Sequence, residues 1–400
     1  MCEPSYWIWL QRAVKPGTDV NAAVDYFGNA KEIYNAGMSE WVLSGMFTKT
    51  VAERMSATRL DSAYPVIDEC KRNSWQIITP DSSEYPEALS SIYARPLVLY
   101  IDGDAGVLRS CVKIAFVGTR EATAYGKAVA EKLSFAVAKA GAVIVSGAAL
   151  GIDSIAHMGA LTAGRRTIAV LGCGFGVNYL SENRGLREAI SRNGALVTEY
   201  PPGTQATRYT FPARNRIISG LSQGTVVIEA GERSGSLITA RLANEQGRDV
   251  FAVPGSIIGS SFTGANRLIR DGARPVFAPE DILGDYADRY PDVIDMSVLK
   301  TELAQRTDFS LPKQDKAKKS VKSSKSSKPS KPVAEQRPLP DDLSPEARAI
   351  AAVLSCEPQS VDELALESGL PVYSVLTAIT ELELCEAAFM VSGKRYVSQI

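Results

Sequence analysis

Apolar runs of strand length recur through the middle of the chain, and each is followed by a longer stretch with apolar residues at every third or fourth position. Continuous apolar strands that alternate with such helical stretches are typical of a parallel sheet buried on both faces. The pattern therefore predicts an α/β domain with an extended Rossmann-like parallel sheet over residues 105–290. The six predicted strands are Ile114–Val117, Val143–Val145, Thr167–Leu171, Leu196–Glu199, Val226–Glu229 and Val250–Val253.

The first 70 residues have a different pattern, in which apolar side chains recur at spacings of three and four between polar positions. We expect short helices joined by glycines, and hence a small helical domain over residues 1–70. The segment Leu43–Ala52 loosely resembles the helix-hairpin-helix of SAM-like domains, although the second hairpin glycine is missing. Residues 71–104 are expected to form a connecting segment that leads into the sheet.

The far end of the chain changes character twice. Residues 307–341 are rich in Lys, Ser and Pro and nearly free of aliphatic side chains, so we expect a linker. Residues 342–400 then show three helical patterns and a hairpin, which predicts a C-terminal winged helix. Its predicted recognition helix, Val372–Leu384, has no Arg, Lys, Asn or Gln to read bases. A structural or protein-contact role is therefore favoured there over major-groove readout.

Composition narrows the classes of function. The N-terminus does not resemble a signal peptide and no apolar run is long enough to span a bilayer, so we expect a cytoplasmic protein without a membrane partner. The six cysteines are scattered and His157 is the only histidine. We therefore expect no metal site and no cofactor, and clustered-histidine zinc hydrolysis is excluded.

Charge is unevenly distributed along the chain. The formal net charge is -1, but residues 313–331 hold eight lysines and one aspartate, which gives +7 locally and leaves -8 for the remainder. An anion site in the folded part must therefore be a local cluster of cations. The lysine run adds weak, salt-sensitive attraction to a polyanion.

Glycine-bearing turns follow four of the six predicted strands. Ligands of parallel sheets bind at the carboxyl ends of strands, where glycines and helix N-termini present backbone N–H groups to anions. Candidate phosphate-binding residues in these turns are Gly118, Thr119, Arg120, Ser146, Gly147, Ser234, Gly235 and Ser236. The two serines near position 235 have a second interpretation, since either hydroxyl is also suited to cap the following helix.

A cationic and aromatic segment lies between the fourth and fifth predicted strands. Arginine matches phosphate oxygens bidentately, and an aromatic ring is a stacking platform for an unpaired base. The candidate nucleic-acid-binding residues here are Phe211, Arg214, Asn215 and Arg216. Arg165 and Arg166, before the third strand, either extend this basic rim or form a solvated helix end.

Three further polar residues have structural interpretations. Asp153 and His157 are four positions apart on one predicted helix, yet no nucleophile accompanies them, so we expect His157 to be buried and hydrogen-bonded. Glu199 and Glu229 end two strands and are expected to orient arginines rather than to act as general bases. We therefore predict a binding protein and not an enzyme, with no catalytic residues.

Many ordered motifs resemble those of the DNA-processing protein A family (DprA, also called Smf). They cover about 170 residues of the chain. The matching elements are Val117–Arg120 with Tyr125–Gly126, Ser146–Gly147 with Gly151–Asp153 and Ala156–His157, Phe211–Pro212 with Arg214–Ile218, Glu229–Ala230 with Ser234–Ser236 and Thr239–Ala240, Gly247–Arg248, Val253–Gly255, and Gly264–Asn266 with Leu268–Ile269 and Asp271–Ala273.

This resemblance implies a function that the residues alone do not give. It implies an extended Rossmann fold that binds single-stranded DNA in a basic pocket, forms a homodimer, and loads the RecA recombinase onto incoming strands during natural transformation. The winged helix and the N-terminal helices agree with the family more loosely. One departure is visible, because the family pattern has Tyr-Pro where Tyr179-Leu180 stands.

Three alternatives compete with this function. A nicotinamide dehydrogenase is disfavoured because no Gly-x-Gly-x-x-Gly follows a strand. A nucleotide-binding or nucleotide-hydrolysing enzyme of the lysine-decarboxylase-like Rossmann group stays open, although its Pro-Gly-Gly-x-Gly-Thr motif lacks a matching glycine pair in Glu229–Ser236. A scaffold that acts through the winged helix is the third alternative.

Overall fold

A computed structural model describes residues 2–299, 343–355, 359–385, 387–391 and 395–398. The chain divides into two compact units, Met1–Pro312 and Lys313–Ile400, and each is described by itself. The predicted linker, residues 307–341, lies outside the described residues.

Twelve helices of the α type lie wholly within the described part of the first unit, together with nine strands. The helices are α1 (Pro4–Val14), α2 (Asn21–Phe27), α3 (Ala30–Leu43), α4 (Lys49–Ala57), α5 (Tyr64–Arg72), α6 (Ala124–Lys139), α7 (Ile152–Thr162), α8 (Arg184–Asn193), α9 (Thr210–Leu221), α10 (Ser236–Glu245), α11 (Thr263–Arg270) and α12 (Pro279–Arg289). The strands are β1 (Gln76–Ile78), β2 (Leu99–Gly103), β3 (Lys113–Val117), β4 (Val143–Ser146), β5 (Thr167–Leu171), β6 (Ala195–Thr198), β7 (Gly224–Val227), β8 (Asp249–Ala252) and β9 (Arg274–Pro275).

The nine strands form one sheet in the order β1-β2-β6-β5-β4-β3-β7-β8-β9. The seven strands β3 to β9 pair with one another in parallel. Strand β2 runs antiparallel to both β1 and β6. The predicted α/β class with a mostly parallel sheet is confirmed. The six predicted strands match β3 to β8, and the sequence pattern missed β1, β2 and β9, of which two lie within residues 71–104.

Both faces of the sheet are covered by helices. In β3, Ile114 and Phe116 pack with helices α6 and α7, whereas Ala115 and Val117 pack with helix α9. Successive side chains of a strand point to opposite faces, so a strand buried on both faces needs apolar residues at every position. This requirement explains the continuous apolar runs in the sequence.

The N-terminal helices share a buried core with one edge of the sheet. Trp7 and Leu10 of α1 belong to the same apolar cluster as Leu171 of β5 and Leu196 of β6. Buried Gln11 joins the elements further, since its Nε2 donates to the carbonyl oxygen of Glu199 at 2.8 Å. The helices are thus attached to the sheet by packing and by polar contacts.

The second unit is a small helical domain with a three-stranded sheet. Ser360 and Glu363 form a capping box, in which each side chain accepts from the other residue's backbone N–H. The elements are α13 (Pro345–Val353), β10 (Gln359–Ser360), α14 (Val361–Ser368), α15 (Val372–Leu384), β11 (Ala388–Val391) and β12 (Arg395–Ser398), with the strands in the order β10-β12-β11. Three helices followed by a β-hairpin are the arrangement of a winged helix.

The helices in the described part of the chain differ from membrane spans. None of them combines the length and the apolar character that crossing a bilayer requires.

Candidate nucleic-acid interface

Two adjacent cavities open at the carboxyl ends of β3, β4 and β5. The first, here called the central cavity, has a volume of about 410 Å³, and the second, the lateral cavity, about 300 Å³. They share Ala149, Phe211 and Arg214, so these three residues lie between them. The central cavity brings together nine of the predicted site residues, which are Gly118, Thr119, Arg120, Phe211, Arg214, Asn215, Ser234, Gly235 and Ser236.

Arg214 lies between the two cavities. It is on α9 and only 4% exposed, and its Nη1 donates to the carbonyl oxygen of Val170 at the end of β5. The guanidinium packs against Gly147, where no β-carbon stands in its way. Its Nε has no hydrogen-bond partner among the described residues. The guanidinium lines both cavities, and its positive charge is suited to attract an anion there.

Asp153 organises the turn after β4. Its Oδ2 accepts from the backbone N–H of Gly147 at 3.1 Å. Burial raises the pKa of Asp153, and this effect is opposed by the charge of Arg214 and by hydrogen bonds from the backbone of the turn. Because the carboxylate is occupied by these donors, Asp153 holds the turn in place beside Arg214.

Arg120 and Phe211 form the open side of the central cavity. The guanidinium carbon of Arg120 lies 5.4 Å from the centre of the Phe211 ring, a cation–π distance. Arg120 is exposed and makes no ion pair within the described residues. Glu121 lies beside it on the same cavity. Attraction for an anion is therefore local to the guanidiniums of Arg120 and Arg214 rather than due to a net positive field.

The start of α10 forms the opposite side of the central cavity. The hydroxyls of Ser234 and Ser236 are 2.7 Å apart and bond to each other. Gly235 occupies the N-cap position, which receives no side-chain cap. Ser234, Gly235 and Ser236 line the central cavity together with Asn215 and Arg120. Such a helix N-terminus favours negative charge.

Two predicted site residues are buried beneath the cavities. Arg216 forms an ion pair of 2.6 Å with Glu199, and the two side chains are 7% and 2% exposed. Ser146 is fully buried and donates to the carbonyl oxygen of Phe116 at 2.6 Å. Neither residue lines a cavity, so both support the site from behind. The predicted role of Glu199 in orienting an arginine agrees with this geometry.

Two other predicted residues lie at the opposite end of the sheet. Arg165 and Arg166 precede β5 and therefore stand at the amino ends of the strands. Arg166 pairs with Asp104 at 2.9 Å, and Arg165 donates to the carbonyl oxygen of Lys139 at 3.2 Å. The structure does not bring them together with Arg120 and Arg214, because parallel strands separate the two ends.

Glu229 has a partner other than the expected arginine. Its Oε2 accepts from the backbone N–H of Thr123 at 3.0 Å and from the Thr123 hydroxyl at 2.9 Å. These bonds fix the start of α6 against the end of β7. The expectation that Glu229 orients an arginine is therefore wrong, because helix capping occupies its carboxylate.

His157 is fully buried on α7. Its Nδ1 lies 2.8 Å from the hydroxyl of Thr167, which itself donates to the carbonyl oxygen of Ile144. Because that hydroxyl proton is used, Nδ1 carries the proton of the imidazole and donates. Burial lowers the pKa of His157 to about 3, with a smaller effect from the charge of Arg214. A neutral, structural histidine follows.

The lateral cavity contains side chains that the sequence pattern did not indicate. Trp75 comes from the loop before β1, Tyr179 from the loop after β5, and Arg184 and Arg187 from α8. The signal available in the sequence was the pair of arginines three apart on one helix. Leu180 also adopts φ 51°, which proline cannot adopt, so the departure from Tyr-Pro changes this loop.

The winged-helix unit presents apolar rather than cationic side chains on α15. Tyr373 is 74% exposed, and Val372 and Leu376 are each close to half exposed. The helix contains no lysine or arginine. In the parts of the chain with described coordinates, no cluster of three or more His, Cys, Asp or Glu side chains is arranged to hold a metal ion.

Comparison with known proteins decides the family. The family model described as DNA recombination-mediator protein A matches residues 76–287, which is more than half of the chain. The chain belongs to this family. A second model, the DprA winged helix domain, matches residues 334–389. The resemblance seen in the sequence motifs, and the assignment of a winged helix, are thereby confirmed.

Relatives and solved structures of the DprA family agree with this assignment. DNA processing protein DprA of Bacillus subtilis is 46% identical over 58% of this chain and 79% of its own length, and protein Smf of Synechocystis is 33% identical over 88% and 86%. The X-ray structure of DprA from Streptococcus pneumoniae has a TM-score of 0.63 at 35% identity and covers 71% of this chain and 98% of that one. A structure of DNA processing protein A from Helicobacter pylori, which concerns the single-stranded DNA binding mode of that protein, has a TM-score of 0.50 at 32% identity and covers 55% and 99%.

Proposed function

We propose that the central cavity binds the sugar–phosphate backbone of single-stranded DNA, largely without sequence preference, and protects the bound strand. The observation that carries this proposal is the convergence of Arg120 and Arg214, neither of which has an ion-pair partner among the described residues, on one cavity beside the ring of Phe211. Phosphate contacts position a strand without reading bases, and a stacked ring accepts any base. The Helicobacter pylori relative binds single-stranded DNA, which supports the same ligand here.

We further propose that the protein acts in the cytoplasm as a homodimer that loads RecA recombinase onto the strand during DNA uptake and recombination. Membership of the DprA family supports this role. It also supports binding rather than catalysis. Of the two acidic side chains that line the central cavity, Glu121 and Asp153, the buried Asp153 accepts from the backbone N–H of Gly147. Light scattering tests the dimer, and the rate of RecA filament formation on a strand with and without this protein tests the loading.

Titration with single- and double-stranded DNA of equal length, at two salt concentrations, tests the ligand. We expect the single strand to bind more tightly and its affinity to fall with salt. Replacing Arg120 and Arg214 together by alanine should weaken binding by about 2 kcal/mol or more and reduce the salt slope by about 0.7 for each lost phosphate contact.

A matched double variant, Arg165→Ala with Arg166→Ala, removes the same charge at the other end of the sheet and should bind as the unaltered protein does. Because Arg214 is buried, the single variant Arg120→Ala provides a second test at an exposed position. Unchanged affinity and salt slope in the Arg120 variant would contradict the proposal. Release of free base from a nucleoside monophosphate would instead favour the nucleotide hydrolase.

A further inference from the structure

We propose that the lateral cavity is a second nucleotide subsite, which takes one base and its phosphate next to the part of the strand held in the central cavity. This inference rests on the proposed function. It assigns a ligand to Trp75, Tyr179 and Arg187, three side chains outside the central cavity.

Two pairs of aromatic rings line the lateral cavity. Trp75 and Phe175 have ring centres 5.0 Å apart, and Tyr179 and Phe211 have ring centres 5.3 Å apart. Phe175 is buried, whereas Trp75, Tyr179 and Phe211 are partly exposed. Aromatic faces stack on bases of any sequence because every base has a π face. The cavity therefore offers a platform for one unpaired base.

Arg187 supplies the cation for a phosphate. Its Nη1 donates to the carbonyl oxygen of Leu180 at 3.1 Å, and the side chain is half-buried. Burial lowers the pKa of Arg187, with smaller opposing and reinforcing effects from neighbouring charges. It forms no ion pair within the described part of the chain, whereas neighbouring Arg184 and Arg192 are both paired with Glu188. A half-buried cation without a carboxylate is stabilised by an anionic ligand.

Arg214 connects the two cavities. It lines both of them, is more than nine-tenths buried, and keeps its Nε without a partner among the described residues. Phe211 also lines both. We therefore expect a strand whose phosphate contacts Arg214 from the central cavity to place its next nucleotide in the lateral cavity.

Size and charge limit the ligand to a single nucleotide. The volume of about 300 Å³ is at the lower end of the range for small-molecule sites. Four arginines line the cavity together with the carboxylates of Asp102 and Glu188, a formal balance of +2. One phosphate is compatible with that balance, and the two carboxylates disfavour a second.

A series of oligothymidylates that lengthen by one nucleotide tests the subsite. In the unaltered protein, we expect affinity to rise when the strand becomes long enough to enter the lateral cavity. In Arg187→Gln that step should fall by about fivefold or more, while shorter strands keep their affinity. The control Arg241→Gln removes one charge from an exposed position on α10 and should keep the step. Identical length dependence in the Arg187 variant would overturn the subsite and leave the proposed function standing.

A titration with thymidine 5′-monophosphate tests the lateral cavity independently of strand binding. Trp75 is the only tryptophan that lines the cavity, so a base stacked there should quench part of the intrinsic fluorescence. The quench should disappear in Trp75→Phe and require about fivefold more ligand in Arg187→Gln. Failure of the protein to bind any strand would refute the proposed function. The fluorescence quench by the nucleotide would then still show whether the lateral cavity binds a nucleotide. A quench without any effect of Arg187→Gln on the length series would assign the cavity to a free nucleotide and overturn the strand subsite.

Discussion

The guanidinium of Arg214 lies against Gly147 so closely that a β-carbon at position 147 would overlap its Nη1. The glycine stands in the turn after β4, and the arginine is on α9, 67 residues later in the chain. The position of the arginine in the site therefore depends on the absence of a side chain in a different element. Glycine is needed here for close approach, and not for an unusual backbone conformation.

Gly147→Ala should consequently displace the guanidinium and weaken single-stranded DNA binding by about tenfold, with a loss of about 1–3 kcal/mol in the free energy of unfolding from overpacking. Fluorescence anisotropy with a labelled oligonucleotide and a denaturant titration measure the two effects. Gly284→Ala is the control, because Gly284 lies on α12 outside both cavities and a β-carbon there meets no atom within 4 Å. Equal affinities for the two variants would show that the packing of Arg214 on Gly147 is not needed for binding.

Glu199→Ala should cost more stability than any exposed ion-pair variant. It leaves Arg216 buried without its carboxylate, and removal of one partner of a buried pair costs about 3–5 kcal/mol. Asp61→Ala, which breaks the exposed pair with Arg59, should cost about 1 kcal/mol or less. Urea denaturation followed by circular dichroism measures both. A loss as small as that of the Asp61 variant would mean that water reaches Arg216.

The free energy of unfolding of the protein should decrease at acidic pH, and His157 should account for part of this decrease. Its pKa is lowered to about 3 in the folded state, whereas an unfolded histidine has a pKa near 6.5. The unfolded chain therefore binds one more proton between these values, and stability decreases as pH falls through this window.

His157→Asn keeps a donor for Thr167 and removes the titration. Between pH 6 and pH 4, the free energy of unfolding of the variant should fall less steeply with decreasing pH than that of the unaltered protein. The difference in slope should be about 1.4 kcal/mol per pH unit. Thermal melts at a series of pH values measure the difference between the two proteins. Parallel curves would indicate that His157 is protonated in the folded state.

Tyr373→Ser, on the exposed face of α15, should leave the affinity for single- and double-stranded DNA unchanged. The helix has no cation or amide side chain to contact phosphate or base edges. The same oligonucleotide titrations provide the measurement, with Arg120→Ala as the variant that responds. A loss of double-strand binding in the Tyr373 variant would assign DNA contact to the winged helix.

The sheet was largely predictable from the sequence, because strands buried on both faces must be apolar at every position. Strands β3 to β8 carry that signal. The run Leu97–Ile101 carries it too, but it lies among prolines and serines, and its partner β6 is distant in the chain. Strand β9 has only two residues and no pattern to detect. Strand β2 is therefore fixed by its long-range antiparallel pairing with β6, which local periodicity in the sequence does not reveal.

Which of the predicted residues share one cavity was predictable in part, and the differences have a geometric cause. Arg214 and Arg216 are two positions apart on α9, which is a rotation of about 200° around the helix axis. Their side chains therefore leave the helix on nearly opposite faces. One faces the cavities and the other faces Glu199. Arg165 and Arg166 precede a parallel strand, which places them at its amino end, opposite the ligand end. Clustering in sequence therefore overstated the number of arginines at one site.

The antiparallel pairing of β2 with β6 also orders the events of folding. Tyr100 is paired with Thr198, so about one hundred residues must leave the ribosome after β2 before its partner exists. During that interval, β2 has only β1 as a partner, and the apolar face of the N-terminal helices lacks the residues of β5 and β6 on which it packs. The lateral cavity takes Trp75 and Asp102 from the early segment and Ser191 and Leu196 from the late one. It therefore requires this long-range pairing and also the later helix α9, which supplies Phe211 and Arg214.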